Sequence, residues 1–398
     1  MFISISLFLL ASTISIFTSS NLRAALGEWK AFYVEPILVF LMIISVRNTR
    51  CNTPLTPLKG GDLLCKVSIT SPLEGGRGVF HVIISALILS GFITSLLAIY
   101  QHYTGFMVPH AFWANRDTYR VTAWYGFPNG VGLFLAPLIP LSLYVIIKKF
   151  NLVKESILSY KKQVTNKSQK INHNLEIGNL VLFVTCILFL ITGPLAIVYA
   201  KSTGGLIGVV AGIGLLLVYY KKTRWPTIII GVIGLFSLLG ISSLSSLKQE
   251  ILFQDRSGQI RISIYKETRE LLKDHPLAGA GLASYSKKIA PYHTLVNGER
   301  IEIFHHPHNI FLTMWVNLGL LGLVGFILIL ISFFKIGITH IMNHITHNNK
   351  TIFVISSMVT LITTGLVDSP YIKNDLAILF WAIVALIIIQ TSAKSTTK

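Results

Sequence analysis

The chain has 398 residues, of which 52% are hydrophobic and 13% charged, with a mean hydropathy of +0.66. An ordinary soluble domain carries about 25% charged residues, so a soluble globular enzyme is excluded, as are disordered and fibrous chains. The net charge of +18 comes from 34 Lys and Arg against 16 Asp and Glu, but most of the basic residues sit in short connections, as topology signals do, which argues against nucleic acid. Apolar runs lie near 1–17, 31–46, 79–100, 121–147, 178–199, 204–220, 226–246, 307–334, 351–368 and 374–391. Most approach the ~20 residues that a membrane-spanning helix needs. The expected fold is all-α, a polytopic transmembrane bundle of about ten spans. Met1 runs straight into FISISLFLL, which reads as a span rather than a cleaved leader and leaves room for upstream helices.

Orientation follows from the connections. The segments 47–78, 148–177, 221–225, 335–350 and 392–398 hold 19 Lys and Arg, whereas 18–30, 101–120, 200–203 and 369–373 hold six. The basic set is expected in the cytoplasm, with both termini, and the long segment 247–306 on the periplasmic or exterior face. This divides the chain into N-terminal spans (1–47), a Pro/Gly-punctuated flexible cytoplasmic insertion (48–78), further spans (79–246), the outer loop (247–306), and C-terminal spans with a short tail (307–398). The seven lysines of 148–177 suit a solvated or headgroup-facing loop. Cys51, Cys65 and Cys186 form no Cys-x-x-Cys motif and read as idle thiols.

Chemistry is expected in the outer loop. Ile260, Ile264, Leu271 and Leu272 recur at helical spacing among charged residues, which predicts an amphipathic helix on the membrane face or a merely solvated one. Asp274-His275-Pro276 and Gly279-Ala280-Gly281 then predict a tight turn. The loop closes on His305-His306-Pro307-His308-Asn309 at the mouth of an apolar run. That spacing does not put three imidazoles on one helix face, and no carboxylate is close in sequence, so no metal is expected. His308 is either a proton acceptor or a helix cap. Asp368 and Asp375 either brace an arginine or are ordinary loop carboxylates. Glu35 is either functional or snorkels to the interface. Trp113, Trp124, Trp225 and Trp315 read as belt residues.

Five blocks, in order, resemble the O-antigen ligase and O-antigen polymerase superfamily. His308-Asn309, nine residues, Gly319, two residues and Gly322 look like its His-Asn-x9-Gly-x-x-Gly signature. Arg120 through Pro128-Asn129 looks like its Arg…Pro-Asn helix start. Ala200-Lys201-Ser202-Thr203-Gly204-Gly205 looks like its Ser-Arg-Gly-Gly helix start. Arg261-Ile-Ser-Ile-Tyr265 through Gly281 resembles its outer-loop block, and Gly365 through Asp375 a C-terminal block. Thr203 stands where the second motif usually carries the Arg thought to hold a lipid pyrophosphate, so Lys201 or Arg120 is expected to substitute.

The resemblance implies a GT-C-like inner-membrane glycosyltransferase of lipopolysaccharide biosynthesis. It would be metal-independent and without cofactors, and would move an undecaprenyl-diphosphate-linked glycan onto an outer-leaflet acceptor such as lipid A-core. Arg261 would hold the diphosphate, with Arg256, Arg120 and Lys201 as further candidates. His308 would take the acceptor proton, and Asn309 would fix the imidazole or cap the helix. Gly319 and Gly322 would permit close helix packing. A polymerase of the same superfamily remains the alternative. A transporter or flippase is disfavoured, because no repeated broken helices and no Gly-x4-Gly-Lys loop are visible.

Overall fold

The computed structural model describes residues 1–46, 76–115, 118–162, 173–241, 244–343 and 350–392. Helices follow one another as α1 (Phe2–Phe17), α2 (Leu22–Glu28), a π-helical turn (Trp29–Val34), α3 (Glu35–Val46), α4 (Gly76–Thr104), α5 (Ala111–Ala114), α6 (Pro128–Leu135) and α7 (Leu138–Lys162). Then come α8 (His173–Tyr199), α9 (Thr203–Tyr219), α10 (Lys221–Gly240), α11 (Ser245–Ile251), α12 (Arg256–Asp274), α13 (Tyr285–Ile289), α14 (Ile310–Asn343), α15 (Lys350–Gly365) and α16 (Asn374–Ser392). Among the described residues there is no strand beyond an isolated bridge between Val296 and Glu299. The fold is all-α. Most of the expected insertion 48–78, with Cys51 and Cys65, lies outside the described residues, as do 163–172 and the tail from 393.

Six helical stretches among the described residues are long and apolar enough to cross a membrane: Leu22–Val46, Gly78–Thr104, Pro128–Phe150, Leu180–Tyr199, Lys221–Gly240 and Ile310–Asn343. Phe2–Phe17, Thr203–Tyr219, Lys350–Gly365 and Asn374–Gln390 are apolar but shorter. Each of the ten expected runs thus contains helix, while six stretches among the described residues reach spanning length, fewer than the ten spans expected. The run at 121–147 is not continuous. Its first residues run through turns, with Ala123 and Gly126 at positive φ, and the helix starts at Pro128, whose fixed φ suits a first turn. Helix resumes as α7 after Pro137, which has no N–H to continue the ladder.

In lipid there is no hydrophobic force between helices, so close approach depends on small residues. α9 lays Gly208 and Gly212 against α15, where an added Cβ would sit 2.9 Å from the Thr360 carbonyl and 3.0 Å from that of Ser356. Gly205 meets Gly132 of α6, 3.0 Å from Cβ position to Cα. Gly325 of α14 meets the backbone of Phe8 in α1 at 3.1 Å. These contacts bring the starts of α6, α9 and α14 and the end of α15 together at one end of the bundle.

α14 is broken at Gly319, whose φ of 70° is in the left-handed region. The break removes the normal bond from Leu320 N to Val316 O. The loop after α12 supplies replacements: Leu320 N donates to Leu277 O at 3.0 Å, and Val316 O accepts from Ala280 N at 2.7 Å and Gly281 N at 3.1 Å. The Trp315 indole donates to Pro276 O at 2.7 Å, so this tryptophan fastens a loop as well as lying near a helix end. Gly319 and Gly322 were expected to serve helix packing. Gly319 instead makes the break, and Gly322 faces Leu318 across it.

A Cβ at Gly319 would lie 2.1 Å from Leu277 O. Gly319→Ala is therefore expected to cost at least the ~1–3 kcal/mol of a strained backbone position and to lower the thermal midpoint in detergent. Gly214→Ala, with nothing within 4 Å of the added Cβ, is expected to be neutral or to gain up to ~1 kcal/mol.

Candidate functional site

The buried carboxylate of Asp368, just past the end of α15, is the meeting point. One oxygen accepts from the Asn129 side-chain amide at 2.7 Å. The other lies 3.2 Å from His308 Nδ1 and 3.5 Å from His306 Nε2, and accepts from Ser369 N at 2.8 Å. Burial alone would raise this carboxyl. The charge of His308 and hydrogen bonds from both imidazoles outweigh it and hold the group well below the usual carboxylate range. The expectation that no carboxylate accompanies the histidines is thereby overturned. Asp368 is 60 residues downstream of His308 and reaches it only through the packing of α15 on α14.

Asn129 extends the chain of contacts. Its carbonyl oxygen accepts from Arg120 Nη2 at 2.7 Å while its amide nitrogen donates to Asp368. Arg can only donate and the carboxylate can only accept, so this amide orientation alone satisfies both neighbours. Arg120 also donates to the carbonyls of Ala200 (2.8 Å) and Lys201 (3.1 Å). Burial and the like charge of Arg261 bring its pKa down to about 10, which leaves the guanidinium charged at neutral pH.

Arg261, on α12, donates through Nε to Val367 O at 3.0 Å and through Nη1 to Ser257 Oγ at 3.0 Å. Among the described residues its Nη2 has no partner. One turn on, the Tyr265 hydroxyl lies 2.9 Å from His308 O and 3.2 Å from Leu366 O, clamping the two segments together. Burial pushes this phenol up to about 12, so it stays a donor. His308 has a φ of 47°, a strained conformation that its neighbours must enforce.

Asn309 caps α14, with Oδ1 accepting from Phe311 N (3.0 Å) and Leu312 N (3.1 Å), while Nδ2 donates to Leu366 O at 3.0 Å. The cap is therefore Asn309, which frees the His308 ring for other work. Nδ1 of His308 faces the ionised carboxylate, so in the neutral ring it is Nδ1 that carries the hydrogen and Nε2 that keeps a lone pair. Burial lowers the pKa of His306, which favours its neutral form.

The other candidates sit differently. The exposed Lys201 contributes its backbone carbonyl to Arg120. Arg256 pairs with Glu299 at 2.8 Å beside a groove lined by Gln259, Ile260, Val296 and Asn297, away from the histidines. Thr203 donates to Glu250. Glu35 lies 3.6 Å from Lys30 and 3.2 Å from Asn374, an interfacial polar cluster. Asp375 stands in the first turn of α16 and contacts Tyr125. Among the described residues neither aspartate makes a direct ion pair with an arginine, and Asp368 is joined to Arg120 through Asn129. α12 buries Ile264, Leu271 and Leu272, of which the last two pack in a small core with Ala280, Tyr285, Ile289 and Val316.

Asn129→Leu would strip one buried partner each from Asp368 and Arg120. It is expected to cost about 3 kcal/mol, read as a lower unfolding midpoint in detergent; an unchanged midpoint would show that the amide bridges nothing of consequence.

Residues 186–327 match a family model described as O-Antigen ligase. No curated protein matches the chain. The match spans α9, α12 and the mouth and break of α14, so it covers Lys201–Thr203, Arg261, His308 and Gly319, while Arg120, Asn129 and Asp368 come to the same place from outside it. The match over residues 186–327 supports placing this stretch in an O-antigen ligase-like superfamily.

Proposed function

We propose that this protein is a metal-independent O-antigen ligase-type glycosyltransferase. It would act at the periplasmic face of the inner membrane, with both termini in the cytoplasm. The donor is a glycan on undecaprenyl diphosphate and the acceptor a glycolipid such as lipid A-core. The observation that carries the reading is His308: a strained imidazole whose Nδ1 is held by a buried carboxylate, beside two arginines, within the family-matched segment.

The acceptor hydroxyl oxygen attacks the anomeric carbon as the bond from that carbon to the diphosphate oxygen breaks. The diphosphate leaves with the bonding electrons, and the hydroxyl proton passes to His308 Nε2. Asp368 holds the tautomer that leaves Nε2 free and stabilises the imidazolium that forms. Two guanidiniums that repel each other favour an anion between them. Arg261, with an uncommitted Nη2, suits the leaving diphosphate, and Arg120 adds charge while being held by Asn129. Arg256, tied to Glu299, and the exposed Lys201 remain secondary donor-binding candidates. The ligase is preferred over the polymerase on the His-Asn-x9-Gly-x-x-Gly spacing.

Purified protein with lipid-linked glycan and acceptor tests this. His308→Ala is expected to lose transfer by about 10²–10⁴-fold, and Arg261→Ala by a comparable factor that Arg261→Lys restores only in part. Wild-type rates in His308→Ala would sink the assignment. Elongation of the lipid-linked glycan without transfer to acceptor would make the protein a polymerase. EDTA is expected to leave the rate intact; a loss reversed by a divalent ion would refute metal independence.

A further inference from the structure

The proton-transfer reading uses one imidazole on Asp368, yet two converge there. Nδ1 of His308 lies 3.2 Å from Asp368 Oδ1 and Nε2 of His306 lies 3.5 Å from the same atom. Ligand atoms of the three residues all lie within 4.8 Å of one another, and among the described residues no other group of His, Cys, Asp and Glu is so disposed. A tetrahedral zinc ion with ligands at about 2.0–2.1 Å holds them about 3.3–3.4 Å apart. Two edges of that figure already exist, and the third is no longer than 4.8 Å.

We propose that His306, His308 and Asp368 form an inhibitory Zn2+ site. The inference rests on the reading of His308 as proton acceptor. Two imidazoles and a carboxylate are a donor set that suits zinc and is a poor match for magnesium or calcium, which prefer oxygen alone. Three protein ligands leave the fourth position to water. The surroundings are already arranged. The second Asp368 oxygen is fixed by Asn129, Ser369 N donates to the first, and the His308 carbonyl is held by Tyr265. Such outer contacts orient ligands. The other titratable and charged groups around the cluster are Arg120, Arg261, Glu250 and His305.

Inhibition follows from the tautomer. Zinc takes the Nδ1 lone pair of His308, and in neutral imidazole the proton then resides on Nε2. That nitrogen has no lone pair left to receive the acceptor's proton. The metal needs no contact with donor or acceptor to stop the reaction, and binding consumes no oxidant or reductant.

The test uses the full chain in detergent, stripped with chelator and dialysed, and titrated with ZnCl2 by calorimetry and with Co2+ as a spectroscopic probe. Wild type is expected to bind one more equivalent of Zn2+ than His306→Asn, whose amide is a poor zinc ligand. The Co2+ bands of a tetrahedral site should vanish in that variant. Transfer by metal-free wild type should fall on adding Zn2+ and return with EDTA. Measured against its own metal-free rate, His306→Asn should need roughly a hundredfold more Zn2+ for half inhibition, with His306→Ala as a second variant and unfolding midpoints as the check on folding. Equal zinc binding by wild type and both variants overturns the inference, as does a bound equivalent that leaves transfer untouched; in either case the His308 reading stands. Inactive metal-free protein that zinc activates overturns both.

Discussion

The carboxylate of Asp368 is buried and ionised, a state that costs several kcal/mol unless the charge is met by donors. It is met by four: His306, His308, Asn129 and the Ser369 amide. The donors come from three stretches, with both histidines on one, so satisfying the charge fixes the relative positions of α6, the mouth of α14 and the end of α15. Arg120 then fastens the α8–α9 connection to the same network through Asn129. The strained φ of His308 persists with the chain that follows it held, by Tyr265 at its carbonyl and by the Asn309 cap at the next residue.

Glycine spacing makes that convergence possible. The contacts of Gly205 on Gly132, and of Gly208 and Gly212 on α15, let polar side chains at the helix ends reach one another across backbones that nearly touch. Larger residues there would hold the helices apart and leave Asp368 short of its partners. The structural and chemical constraints on this chain are in that sense the same constraint.

The helices were legible because apolar runs of membrane length have few other interpretations. The site was legible in pieces. His308 and Arg261 stand in recognisable blocks, whereas Asp368 looks like a loop carboxylate until α15 is packed beside α14. Asn129 was visible only as the second half of a Pro-Asn helix start, because a bridging amide leaves no spacing signature. His306 was obscured by Pro307, which spoils any helical periodicity although the ring still reaches Asp368 from an irregular segment. Arg256 is the reverse case, with a visible charge and an invisible partner. Its partner Glu299 is 43 residues on, and nothing local reveals that its charge is already answered. Gly319 has a sequence signature shared by helix packing and helix breaking, and only its backbone angle separates them.

The break in α14 also bears on motion. Val316 O, Leu320 N and the Trp315 indole are served by the loop at 276–281, and lipid offers no substitute partners. That loop continues directly from α12, which carries Arg261, while the short first piece of α14 follows His308. Peeling them apart would leave these backbone and indole groups without their protein partners, which ties the movement of the arginine to that of the histidine. On the proposed function, a door for the lipid carrier would therefore open along another seam of the bundle.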